Sequence, residues 1–116
     1  MTTMTKHKYN GWTARDRYPF GDPADRRFLG ISTRKGSGLF QGQIVTRAYV
    51  CTVDDGFETH AMGMGTGLGD FSARVAAVPG RSTERAVLAA HTEALCDYPR
   101  ILAAAEAHYA AQKASQ

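Results

Sequence analysis

The stretch FQGQIVTRAYVCTVDDGFETHAMGM, Phe40 to Met64, decides how this chain folds. From Phe40 to Val53 it is rich in β-branched and aromatic residues, which suit a pleated, half-buried surface, so one long strand is expected there. Asp54-Asp55-Gly56 closes that strand. Asp-Gly between two extended runs is the preferred signal for a two-residue type I′ hairpin, because Asp tolerates positive φ and Gly adopts it without steric cost. A returning strand then runs from Phe57 toward Met64. With Asp55 and Gly56 as the loop, counting sets Val53 opposite Glu58, Cys51 opposite His60, Tyr49 opposite Met62 and Ala48 opposite Gly63.

Working outward toward the C-terminus, the chain continues as Gly63-Met64-Gly65-Thr66-Gly67-Leu68-Gly69. Strand side chains alternate between faces, so Gly63, Gly65, Gly67 and Gly69 would make one face smooth. A further extended segment is expected from Asp70 to Val78, before Pro79-Gly80 turns the chain. Ser82 is a good N-cap, and Glu84 or Arg85 opens a helix with Val87, Leu88, His91, Ala94 and Leu95 at apolar spacing. Pro99 suits the first turn of a second helix carrying Ile101, Leu102, Ala105 and Tyr109 on one side. The alanines of both helices allow close approach, and a smooth glycine face would receive them well.

Toward the N-terminus, Phe28 to Thr33 reads as a short strand broken by Lys35-Gly36-Ser37-Gly38. Met1 to Gly30 is punctuated by Asn10-Gly11, Tyr18-Pro19, Gly21 and Asp22-Pro23 and shows no clear period. Residues 1–27 are therefore expected to be an irregular basic and aromatic arm, with an antiparallel sheet of three to four strands over 28–78 and helices over 82–113. The fold class is α+β, in one domain of 116 residues. A hydrophobic fraction of 43% against 22% charged residues excludes a disordered chain. Two cysteines are too few for a secreted disulfide scaffold, and no apolar run suits a leader or a membrane span. A cytoplasmic protein with free thiols follows, with no membrane partner.

The net charge of +3 is unevenly spread. Residues 1–36 hold eight Lys and Arg against Asp16, Asp22 and Asp25, a net +5, whereas residues 37–80 sum to −2 and residues 81–116 to zero. In the N-terminal third Arg15, Arg17, Arg26, Arg27, Arg34 and Lys35 interleave with Trp12, Tyr18, Phe20 and Phe28, a mixture that suits phosphate contacts with base stacking. An arm that turns its aromatics inward and solvates its charges has the same composition. On the first reading the anionic-partner residues are Arg15, Arg17, Arg26, Arg27, Arg34 and Lys35, with Trp12 and Tyr18 as stacking platforms.

Other sites are weaker. The series from Gly63 to Gly69 matches neither the dinucleotide fingerprint nor the P-loop pattern, and packing accounts for it more simply than a phosphate cradle. Cys51 facing His60 could begin a metal site, but His7, His91, His108 and Cys96 lack the paired spacing that would complete one. His91, between Leu88 and Leu95, is expected to pack its ring and find a backbone or carboxylate partner. No catalytic residue, cofactor or metal is expected.

Gly80-Arg81-Ser82 followed by Ala86, Ala89, Ala90, Ala94 and Leu95 resembles the strand-to-helix junction of double-stranded-RNA-binding domains. The resemblance covers the C-terminal half and implies a β-β-β-α module. Thr83, Glu84 and Arg85 stand where that family carries phosphate-gripping lysines, so RNA binding is not implied with it. The leading functional expectation is a small non-enzymatic protein that recognises nucleic acid or a nucleoprotein complex, with a phage or mobile-element accessory or inhibitor protein as the expected kind. The runner-up is a nucleotide-binding protein or minor enzyme with its pocket near Gly63, Gly65, Gly67 and Gly69. A third is an oligomeric interaction domain, a homodimer joined through a sheet edge or the Ala-rich helix.

Overall fold

The computed structural model describes residues 3–7, 11–54, 57–60 and 71–114, and the side chains of residues 4, 11–51 and 71–111. Strands β1 (Thr3–His7), β2 (Gly11–Phe20), β3 (Arg27–Lys35), β4 (Gln43–Asp54), β5 (Phe57–His60) and β6 (Ser72–Pro79) precede helices α1 (Glu84–Leu95) and α2 (Tyr98–Ala114). Every ladder is antiparallel, in the order β1-β2-β3-β4-β5 with β6 also on β4. The class is α+β: β2, β3, β4 and β6 form the body of the sheet, and β1 and the short β5 flank it.

Twelve-residue β4 organises this arrangement. One edge pairs with β3 from Ile44 to Thr52. The other is shared end to end: Gln43 to Tyr49 pair with β6, and Cys51 to Asp54 pair with β5. Cys51 lies opposite His60 and Val53 opposite Glu58, the register obtained by counting from Asp55-Gly56. At Tyr49 and Ala48 the partners on that edge are Ser72 and Ala73 of β6. The expected partners Met62 and Gly63, the turn residues Asp55 and Gly56, and the series Gly63, Gly65, Gly67 and Gly69 lie outside the described residues.

The N-terminal stretch differs most from its expected form. Irregular chain there is concentrated between Gly21 and Arg26, where Asp22 caps a single 3₁₀ turn at Pro23–Asp25 and Arg26 adopts a positive φ of 53°. Thr3–His7 and Gly11–Phe20 join the sheet. Strand β2 does alternate: Trp12, Ala14, Asp16, Tyr18 and Phe20 fall on one face, Thr13, Arg15, Arg17 and Pro19 on the other. A buried acid at the middle of the apolar series hides the period. Pro19 is tolerated because β1 pairs only as far as Arg15, leaving that end of β2 with a single paired edge among the described residues.

Both helices cover the face of β2 that carries Asp16. Phe20, Leu29, Ile31, Ala48, Val50 and Phe71 form a core with Ile101 and Ala105 of α2, and Ala14 and Ile44 form a second cluster with Val87 of α1. Thr33 and Thr46 lie on this face as well, fully buried. In α1 the buried positions are Val87, His91 and Ala94, at the i, i+4, i+7 spacing of an apolar stripe, while Leu88 is exposed. The cap of α1 is Thr83 rather than Ser82: the Thr83 hydroxyl accepts from the Ala86 N–H at 3.2 Å.

Candidate functional site

Among the described residues no helix lies on the opposite face of the sheet, and the alternation that buries Asp16 turns Arg15 and Arg17 onto it. Pairing then aligns residues from four strands. Arg15 of β2 stands opposite Ser32 of β3, Ser32 opposite Arg47 of β4, and Arg47 opposite Arg74 of β6. Three arginines thus share one lateral row, about 14 Å long at the usual strand spacing. Arg34 lies beside the row at the end of β3, and Arg17 on its other side.

Aromatic rings hold part of this face in place. The Arg74 guanidinium lies 4.6 Å from the centre of the Phe40 ring, and that of Arg17 lies 5.3 Å from the centre of Phe28, both within cation–π range. Tyr49 covers Gly30, its cross-strand neighbour: a Cβ at Gly30 would come within 2.4 Å of the tyrosine ring. Phe28, Tyr49 and Cys51 form a small buried cluster there. Their rings serve as a floor beneath the arginines, and Phe40 is only half-buried.

A shallow concavity of about 270 Å³ opens on this face between β2, β3, β4 and the loop from Gly36 to Phe40. Arg15, Arg34, Lys35 and Arg47 line it, and none of its described lining residues is acidic. At the tip of the loop Leu39 is 95% exposed.

The expected site residues separate. Arg15, Arg17 and Arg34 come together on the open face, whereas Lys35, opposite Ile44 at the end of β3, falls on the other side of the strand, where its backbone borders the concavity. Trp12 packs with Ala14, Ile44 and Val87, and Tyr18 stacks on Tyr98 with ring centres 4.2 Å apart, both on the helix side. Arg26 sits exposed in the turn before β3. Arg27 lies between the rings of Phe20 and Tyr109, 5.3 and 5.0 Å from their centres, with Asp25 at 3.4 Å. Sequence reasoning missed Arg47 and Arg74, which lie in the segment with a net charge of −2. Cross-strand register was the signal that places them, Arg47 opposite Ser32 and Arg74 opposite Arg47.

Behind the row, on the covered face, runs a buried polar chain. His91 Nε2 lies 2.9 Å from Asp16 Oδ2, His91 Nδ1 lies 2.7 Å from the Thr33 hydroxyl, and that hydroxyl lies 2.7 Å from the Thr46 hydroxyl. An acid, an imidazole and a hydroxyl in series have the order of a nucleophilic relay, but all four side chains are at most 2% exposed, beyond reach of a substrate. The chain ties β2, β3 and β4 to α1. Cys51 is a buried free thiol and Cys96 an exposed one. Among the described residues no three His, Cys, Asp or Glu converge on a point where a metal could sit.

Fold and face together define a class: a small α+β protein whose antiparallel sheet is covered by two helices on one side and lined with arginine on the other. Comparison with protein-family models, with curated proteins and with solved structures finds no match.

Proposed function

We propose that this chain is a non-enzymatic binding protein that lays a single-stranded nucleic acid across the open face of its sheet. The observation that carries the reading is the Arg15-Ser32-Arg47-Arg74 row. Like charges directly opposite on neighbouring strands are destabilising, and Arg47 faces Arg74 in that way. A polyanion crossing the strands meets planar, five-donor guanidinium groups suited to phosphate. A single strand is favoured over a duplex because α1 and α2 lie on the opposite side, leaving a sheet face and no helix to enter a groove. Phe40 and the guanidinium planes are the stacking surfaces. No described helix is long and apolar enough to cross a membrane, and two free thiols suit a reducing, cytoplasmic setting.

The test is the affinity of single-stranded and duplex DNA and RNA at two salt concentrations, for the parent and for Arg47→Ala/Arg74→Ala. The parent is expected to prefer single strands. Each lost contact should flatten the plot of log affinity against log salt by about 0.7. Failure of the parent to bind any of these at low salt, or a double variant with an unchanged salt slope, sinks the reading.

A further inference from the structure

Three of the four positions in the arginine row, Arg15, Ser32 and Arg47, also border the concavity of about 270 Å³, so a strand whose phosphates follow the row runs along its rim. At about 30 Å³ for each atom of water size, the space takes a group of roughly nine non-hydrogen atoms. That is the size of one nucleobase and less than a whole nucleotide. Beside it the loop after β3 is pinned. The Gly36 N–H donates to the Gln43 carbonyl at 2.8 Å, the Phe40 N–H donates to the Ser37 carbonyl at 3.0 Å, and a Cβ at Gly36 would collide with the Phe40 carbonyl oxygen. Phe40 is thereby fixed at the concavity, half-buried.

Thr13 also lines this space, and strand alternation sets it on the face of Arg15. It is 2% exposed, and among the described residues its buried hydroxyl has no hydrogen-bond partner. Thr33 and Thr46, on the covered face, show the contrast: their hydroxyls lie 2.7 Å apart, and that of Thr33 meets His91 as well. A buried polar group without a partner is costly, and a bound molecule is one way of supplying the partner. The rest of the lining combines the hydroxyls of Ser32 and Ser37 with the apolar surfaces of Phe40 and Val45. A nucleobase has the matching make-up, flat apolar faces and an edge of donors and acceptors, whereas a phosphate has no apolar face. We infer that the concavity seats one base of the bound strand, its edge on the Thr13 hydroxyl and its ring against Phe40. The inference rests on the strand-binding reading above and adds to it a seat for a base beside the row that holds phosphates.

A short single-stranded oligonucleotide and an abasic oligomer with the same number of phosphates are titrated against the parent, Thr13→Val and Thr13→Ser. The parent is expected to bind the base-bearing strand about tenfold tighter than the abasic one, the scale of one stacked base. Thr13→Val keeps the β-branched shape and removes only the hydroxyl. It should cost about fivefold with the base-bearing strand, the scale of one hydrogen bond, and nothing with the abasic one. Thr13→Ser keeps the hydroxyl and should restore the affinity. All three proteins should show the same slope of log affinity against log salt, since no phosphate contact is lost. Removing an unsatisfied buried hydroxyl should also leave the unfolding midpoint of Thr13→Val at or above that of the parent. Phe40→Leu, outside the sheet, is expected to shrink the same base-dependent advantage whatever the stability of the Thr13 variants. Equal binding of the two oligomers by the parent overturns the base seat and leaves strand binding standing. A Thr13→Val loss that is equal on both oligomers, or that Thr13→Ser does not restore, overturns the seat as well. No binding of either oligomer by the parent overturns both readings.

Discussion

Asp16 and its neighbours Arg15 and Arg17 occupy consecutive positions of one strand and meet opposite fates. Asp16 is 2% exposed and is held by His91 at 2.9 Å, whereas Arg15 and Arg17 join the unhelixed face with Arg47 and Arg74. On the covered face the buried carboxylate arrives with a partner, the His91 imidazole of α1, which is in turn bonded to Thr33 of β3. On the open face like charges accumulate in a row. The comparison separates two duties within the same strands: one side of the sheet holds the molecule together, and the other displays a row of arginines from β2, β4 and β6.

The most damaging way to break that comparison is His91→Leu. The leucine fills similar volume but leaves the Asp16 carboxylate and the Thr33 hydroxyl without the ring nitrogens, and a cost of about 3 kcal/mol is expected. Denaturant unfolding measures it, and a loss below 1 kcal/mol would show that the buried chain holds little. Gly30→Val tests the floor of the other face. Its side chain collides with Tyr49, so a loss of about 1–3 kcal/mol is expected by thermal unfolding, accompanied by weaker anion binding as the ring is pushed toward the arginines.

Arg47→Gln sharpens the contrast from the opposite direction. Removing one of two facing like charges should leave stability unchanged or raise it by about 0.2–1 kcal/mol, while nucleic-acid affinity falls. A variant that loses stability and keeps affinity would reverse the duties assigned to the two faces. Tyr18, on the covered face, gives the smallest effect. Burial first, then the Asp16 carboxylate and Tyr98, raise its phenol above the usual value of 10. The unfolded chain therefore ionises first, so this contribution is complete below pH 10 and is lost as pH climbs above it. Tyr18→Phe should remove that share of the alkaline loss in a series of unfolding curves across pH 10.

Much of the covered face was readable from residue pattern. The β-branched run of β4, the Cys51–His60 and Val53–Glu58 pairs of the Asp-Gly register, and Val87, His91 and Ala94 of the apolar stripe of α1 each follow from a local rule and are present, whereas Tyr49 and Ala48 pair with β6 and Leu88 is exposed. The carboxylate partner expected for His91 is present. Strand β2 was not readable, because its inward series Trp12, Ala14, Asp16, Tyr18, Phe20 is interrupted by an acid whose partner lies far along the chain. The open face failed for a related reason. Counting charge along the chain grouped Arg26 and Arg27 with Arg15 and Arg34, whereas pairing groups by row and by side. It removed Arg26, Arg27, Trp12 and Tyr18 from the face and brought in Arg47 and Arg74 from a segment of net negative charge.

The Asp16 to His91 contact also imposes a timetable. Its two partners are 75 positions apart, so at 5–20 residues per second a ribosome needs roughly 4–15 s to make the second after the first. By the end of that interval the nascent chain holds β2, β3 and β4 with Leu29, Ile31 and Val50 uncovered and an acid set among them. Pairing the sheet early would present that surface to every neighbour, and the acid opposes its burial in the wrong partner. Closure has to wait for both helices, α1 for Asp16 and α2 for Leu29, Ile31 and Val50. A chain released before residue 91 keeps the arginine row and lacks the imidazole that lets the covered side shut.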